Sequence, residues 1–214
     1  MLHKNKKNRG YFDFDLDIER MLNEDLNAIF YLKDLKQRKL FLESDVDQLS
    51  VSDIVKNILQ YNKEDEGIAP DERIPIRLYI ASNGGEVDSG FELIDVIENS
   101  ITPVYTINIG YEYSMGFLIG LAGHKRFAMP NSKFLMHDGS NFVYNSGSKA
   151  QDQMAFNAKV EERIKHYILS HSKLTEEEYD SKVRVEYYLF ADEAKEKGFT
   201  DYIIGLDCRV TEII

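Results

Sequence analysis

The sequence predicts an α/β domain, and three of its features carry that prediction. Short apolar runs of strand length recur along the chain, and two of them lead into glycine turns. Segments with apolar residues three and four positions apart, the mark of one buried helical face, separate these runs. The two patterns alternate along the chain instead of segregating into blocks, as helices packed on a sheet require.

In order along the chain, residues 13–43 alternate acids with apolar residues, and 39–42 read as a short strand. Ser50 with Asp53 fits a capping box, and Val51, Ile54, Val55, Ile58 and Leu59 then mark one helical face. Residues 64–75 are acidic, contain Pro70 and Pro75, and read as an exposed loop. A strand is expected over 76–81, a helix around Phe91, Leu93, Ile94 and Ile97, and a strand over 104–109. A helix follows the turn at Ser114, with short strands at 125–128 and 134–136. After a glycine- and serine-containing loop at 141–148, residues 149–172 form a long charged helix, too long for a crossover and expected to project. Thr175 and Glu178 form a second capping box. A strand at 187–190, a helix at 191–197 stopped by Gly198, and a strand at 202–204 close the fold.

A chain of 214 residues suffices for one sizeable domain, expected over 40–214 behind a segment covering 1–39. The net charge of -11 opposes nucleic-acid binding, which needs a basic surface. The longest apolar run, 115–123, is too short to span a bilayer, and no apolar stretch follows Lys4, Lys6, Lys7 and Arg9 to make a signal peptide. Cys208 is the chain's single cysteine, which fits a reducing, cytoplasmic setting. No His/Cys cluster has metal-ligand spacing, so neither metal nor cofactor is expected.

The chemistry concentrates at three turns. Ser114 lies between Gly110 and Gly116 where a strand passes into an apolar helix, a turn that pushes a hydroxyl out of the backbone. Free N–H groups at the start of that helix, Met115 first, aim at whatever the oxygen attacks. Gly84 and Gly85 end an earlier strand, and without side chains their backbone can approach a carbonyl closely. A serine needs a base, and of the five histidines His137 alone follows a strand-like run and precedes a turn. The base in turn needs an acid. Asp138 is adjacent in sequence and points away from the ring, so Glu186 is the better candidate, although spacing does not settle it. The pattern reads as a serine hydrolase.

Taken in order, these pieces resemble the proteolytic subunit of the Clp protease, the ClpP family. Leu78-Tyr79-Ile80-Ala81-Ser82-Asn83-Gly84-Gly85 is similar to that family's strand ending in Ser-Pro-Gly-Gly, and residues 110–116 to its Gly-x-x-x-Ser-Met-Gly turn. Arg126, Pro130-Asn131-Ser132 and His137 resemble its Arg-x-x-x-Pro-Asn-Ser…His segment, and Ala191-Asp192-Glu193-Ala194 with Gly198 and Asp201 its closing motif. The likeness implies a crotonase-like α/β superhelix with a protruding handle helix at 149–172. It implies Ser114 as nucleophile, His137 as base, Glu186 in place of the family's catalytic Asp, and oxyanion N–H groups from Gly85 and Met115, with Gly84 supporting the turn. It further implies heptameric rings stacked as a tetradecamer, unfolded polypeptide substrates, and feeding by a ring-shaped ATPase of the AAA+ unfoldase type. Asn83, Tyr111 and Tyr113 depart from the family's proline and small residues, and Asp138 from its uncharged residue after the histidine. These departures motivate an alternative, a catalytically impaired ring subunit with a structural role. A crotonase-type acyl-CoA enzyme has no need of a serine and a histidine at these two turns, and the short apolar runs, with no membrane anchor expected, oppose a signal-peptide-peptidase-like serine–lysine enzyme.

Overall fold

The computed structural model describes residues 26–139 and 146–213. The basic stretch at the start of the chain and most of the 141–148 loop lie outside the described residues. The first element among the described residues is a helix, α1 (Leu26–Lys36), in a region whose alternating acids had suggested no helix. The helix α1 leads through Arg38 into strand β1 (Lys39–Leu42). Arg38 adopts φ 56°, and its guanidinium is tied to both carboxylate oxygens of Asp65, at 2.6 and 2.8 Å. Asp65 is 2% exposed, so the acidic stretch after residue 64 is anchored at its start and is not simply a solvated loop.

Helix α2 (Gln48–Glu64) begins earlier than the sequence suggests. Its N-cap is Asp47, which accepts from the Ser50 N–H at 2.7 Å, while the Ser50 hydroxyl takes the Asp47 N–H at 3.0 Å. Ser50 is therefore the third residue of the helix, not its cap. Val51, Ile54, Val55, Ile58 and Tyr61 are buried and recur at helical spacing, which fixes the face that α2 lays on the sheet. The Leu59 of the expected face points largely to solvent at 54% exposure. After a short 3₁₀ turn come β2 (Ile76–Ser82), α3 (Val87–Glu98), β3 (Val104–Tyr113) and α4 (Met115–Leu121).

Strands β4 (Lys125–Ala128) and β5 (Lys133–Met136) follow, and both pair with β3 in parallel. Their registers divide that strand: Tyr105–Asn108 face β4, and Tyr111–Tyr113 face β5. Asn108 holds the bend between the halves, its Oδ1 accepting from Gly110 N–H and its Nδ2 donating to Lys133 O, each at 3.0 Å. The long helix α5 (Ser148–Ser170) has Ile168 as its buried residue. It is followed by α6 (Glu176–Lys182), β6 (Tyr187–Phe190), α7 (Ala191–Glu196), β7 (Tyr202–Ile203) and α8 (Val210–Ile213). Thr175 caps α6 by accepting from Glu178 N–H, but the Glu178 side chain turns to Lys197, so the box is half-formed.

The sheet runs β1-β2-β3-β4-β7, all parallel, with β5 on the second half of β3 and β6 antiparallel to β5. One face carries the main core, including Ile58, Ile76, Leu93, Phe117, Phe134 and Phe199, all 2% exposed or less. Burying each such side chain contributes roughly 1.5–3 kcal/mol. The opposite face holds a smaller cluster of Tyr79, Ile107, Phe127, Ile204 and Ile213. Among the described residues no helix is long and apolar enough to cross a membrane.

Candidate active site

Parallel strands that share a sheet end their C-termini on one side, and the site gathers there. Strand β2 ends at Ser82, just before Gly84-Gly85; β3 leads into Ser114; β5 leads into His137. Glu186 precedes β6, which runs antiparallel to β5, so the start of β6 lies beside the end of β5, with Met136 opposite Tyr187.

Ser114 is the N-cap of α4, at φ 53° and ψ -120°. Such a conformation costs a non-glycine residue on the order of 1–3 kcal/mol and persists only where the surroundings enforce it. Here the Ser114 N–H is bound to Leu135 O at 3.0 Å, and the Ser114 carbonyl receives the N–H groups of Phe117 and Leu118. Its hydroxyl makes no capping bond to the helix, and the residue is partly exposed. Helix α4 is buried along its whole length, which anchors the turn from behind.

Gly84 meets this turn directly, and Gly85 follows Gly84 in the chain. At φ 91°, Gly84 lies so close that a Cβ on it would come within 2.7 Å of Met115 N and 2.8 Å of Ser114 Cβ. Gly85, at φ 151°, forms a parallel bridge with Val46, whose backbone a Cβ there would overlap. That bridge uses the Gly84 carbonyl and the Glu86 N–H, both bonded to Val46 at 2.8 Å, and leaves the Gly85 N–H out of the pairing. The Met115 N–H opens the first turn of α4, where no intrahelical acceptor exists. Two backbone donors thus lie at adjoining turns beside the serine.

His137 Nδ1 is 3.0 Å from Glu186 Oε1. A carboxylate only accepts, so Nδ1 carries the hydrogen and the neutral ring keeps its Nε2 lone pair. The bond to His137 holds the Glu186 carboxyl below its ordinary range, against a smaller opposing effect of desolvation. The His137 side chain is 26% exposed and that of Glu186 57%, so the pair lies at the protein surface of a single chain. Asp138, the neighbour in sequence, is tied instead through its backbone N–H to Val183 O at 2.7 Å.

The structure therefore brings Gly84, Gly85, Ser114 and Met115 together, and independently joins His137 to Glu186. The strand ends link the two groups, since Ser114 binds Leu135, two residues before the histidine. Sequence reasoning missed Tyr188. It meets Tyr113 edge-on at 5.7 Å, and Tyr113 lies 5.2 Å from Tyr111, so the two tyrosines of the Ser114 turn belong to a cluster of three completed from β6. The signal was present in the alternation of Glu186, Tyr188 and Phe190, which share one face of a strand.

Comparison with known proteins gives the family. The model of the Clp protease family matches residues 23–207. The ATP-dependent Clp protease proteolytic subunit 2 of Treponema pallidum (strain Nichols) is 27% identical over 188 residues, covering 87% of this chain and 92% of that protein. With the family model spanning all but the ends of the sequence, and with the turns of the likeness at neighbouring strand ends, the chain belongs to the Clp protease family.

Proposed function

We propose that this protein is a serine endopeptidase that cleaves unfolded polypeptides through an acyl-enzyme. The observation that carries the reading is the bond from His137 to Glu186, which supplies an oriented base at the strand end next to that of Ser114. In this mechanism His137 Nε2 takes the Ser114 proton as the oxygen attacks the peptide carbonyl. The N–H groups of Gly85 and Met115 receive the developing oxyanion, each such donor being worth about 3 kcal/mol in the transition state. Protonated His137 then gives its proton to the leaving amine, and water repeats the cycle to free Ser114. Glu186 keeps Nδ1 protonated and stabilises the imidazolium without itself accepting the proton.

The Clp family and the relative named above support assembly into rings. The shape of α5 supports it too, since a helix so little buried in its own subunit needs a partner. We read α5 as the handle through which two seven-membered rings interdigitate around a chamber inside the cell. The ATP dependence in the relative's name makes a ring-shaped ATPase the expected source of unfolded substrate.

A fluorophosphonate probe applied to the purified protein tests the chemistry. Labelling at Ser114 that Ser114→Ala abolishes, together with hydrolysis of a casein-like unfolded substrate, is the expected result. An assembled particle that no probe labels would instead identify a ring subunit without catalysis.

A further inference from the structure

Glu112 lies on β3, two residues before Ser114, and is 3% exposed. Its partners in register are Ser82 on β2 and Phe134 on β5. Both Ser82 and Glu112 are directed at α4, at places where the helix has no side chain. A Cβ on Gly116 would approach Ser82 Cβ to 3.1 Å, and one on Gly120 would overlap the Glu112 carboxyl. Gly116 and Gly120 are four residues apart, so they share one helical face, and the sheet side chains fill the two notches they leave.

Among the described residues no Lys, Arg or His side chain forms an ion pair with this carboxyl. The charge that reaches it is Arg126 on β4, which is committed elsewhere. Its Nε and Nη2 donate to Asp201, and its Nη1 donates to the carbonyls of His171 and Gly198. Helix α4 contributes no titratable side chain, β2 presents Ser82 and β5 presents Phe134. Burial therefore dominates and pushes the carboxyl well above its ordinary value of 4.5, with Arg126 opposing only in part.

We propose that Glu112 is a positioning residue, an uncharged carboxyl seated in the Gly120 notch that locks β3 to α4 and so fixes the Ser114 turn between them. The inference rests on the reading of Ser114 as nucleophile. Ionisation places a charge in a buried seat to which no described cationic side chain is bonded, so the charged group leaves it, and the two elements flanking Ser114 separate. The sign follows from linkage. The unfolded chain releases this proton near 4.5, whereas the folded chain keeps it to a higher pH. Over that interval the native state holds more protons than the unfolded state, and stability falls as pH rises.

The test compares wild type with Glu112→Gln, an uncharged group of the same shape, in two measurements across pH. Thermal unfolding is expected to show wild-type stability declining above 4.5 relative to the glutamine variant, whose curve is flatter. Probe labelling of Ser114 is expected to fall in wild type, relative to Glu112→Gln, over the pH range in which its stability declines. A second variant, Gly120→Ala, fills the notch and is expected to lower labelling on the order of 100-fold, as a misplaced nucleophile does. Adding Glu112→Ala to that variant restores much of the rate by making room. Superimposable pH curves for wild type and Glu112→Gln overturn the proposal, as does a glutamine variant that is folded yet unlabelled at every pH. A wild-type chain that no probe labels sinks the serine reading alone, because the unfolding curves still decide whether Glu112 is held uncharged.

Discussion

At Ser114 three features meet in one residue: a hydroxyl that makes no cap bond, a helix N-terminus behind it, and a backbone conformation that only its neighbours can enforce. The same logic holds at Glu186, whose value lies in where it holds a proton on its neighbour. We expect Glu186→Gln to slow probe labelling on the order of 10⁴-fold while native mass is unchanged, because its amide can donate to Nδ1 and stabilise the wrong tautomer. A glutamine variant labelled at the wild-type rate would remove Glu186 from the mechanism. The turns that carry Ser114 and His137 were legible in the sequence because glycines and strand ends mark them. Glu186 was only half legible, since the choice against Asp138 depends on β6 running antiparallel to β5, a pairing of distant segments. Glu112 was not legible at all: a glutamate reads as solvated until the glycine notch opposite it is known.

Among the elements, the strands at 39–42, 125–128 and 187–190 appear where the apolar runs placed them, because their ends are set by turns close by in sequence. Strand β3 continues to Tyr113, beyond its expected end, because its second half exchanges β4 for β5 as partner. No local pattern reports such an exchange. Helix α1 went unread for a related reason, since Phe30 and Tyr31 are more than half or half exposed while Ile29 is buried, which blurs any single apolar face. The turn after β2 gives this scale its prediction. Gly84→Ala forces a side chain onto φ 91° and against Met115 N and Tyr113 O, each 2.7 Å from the new Cβ. We expect a loss of about 1–3 kcal/mol in stability, measured by urea unfolding, and a far larger proportional loss of labelling, because the displaced groups are the Ser114 turn itself. Equal labelling in this variant would mean that the two turns act independently.

For the whole molecule the decisive element is α5, whose 23 residues extend about 35 Å. Met154 and Phe156 are each 63% exposed on it. At roughly 100° per residue they point some 200° apart, so a single flat surface cannot cover both. A helix inserted between two others can, which is the geometry of interdigitated handles. Phe156→Glu is therefore expected to shift native mass from the stacked particle to a smaller species, with the far-UV circular dichroism of the subunit preserved. Each copy loses about 1.5–3 kcal/mol of apolar burial. In a symmetric particle every subunit carries the same loss, so the effect on assembly multiplies while the effect on one fold does not. Probe labelling measured on the same fractions then separates two roles of assembly. Labelling that falls with mass means that ring contacts complete the His137 and Ser114 geometry, whereas labelling that survives in the smaller species means that the site is finished within one chain. A particle of unchanged mass would show that α5 is not the element through which the rings meet.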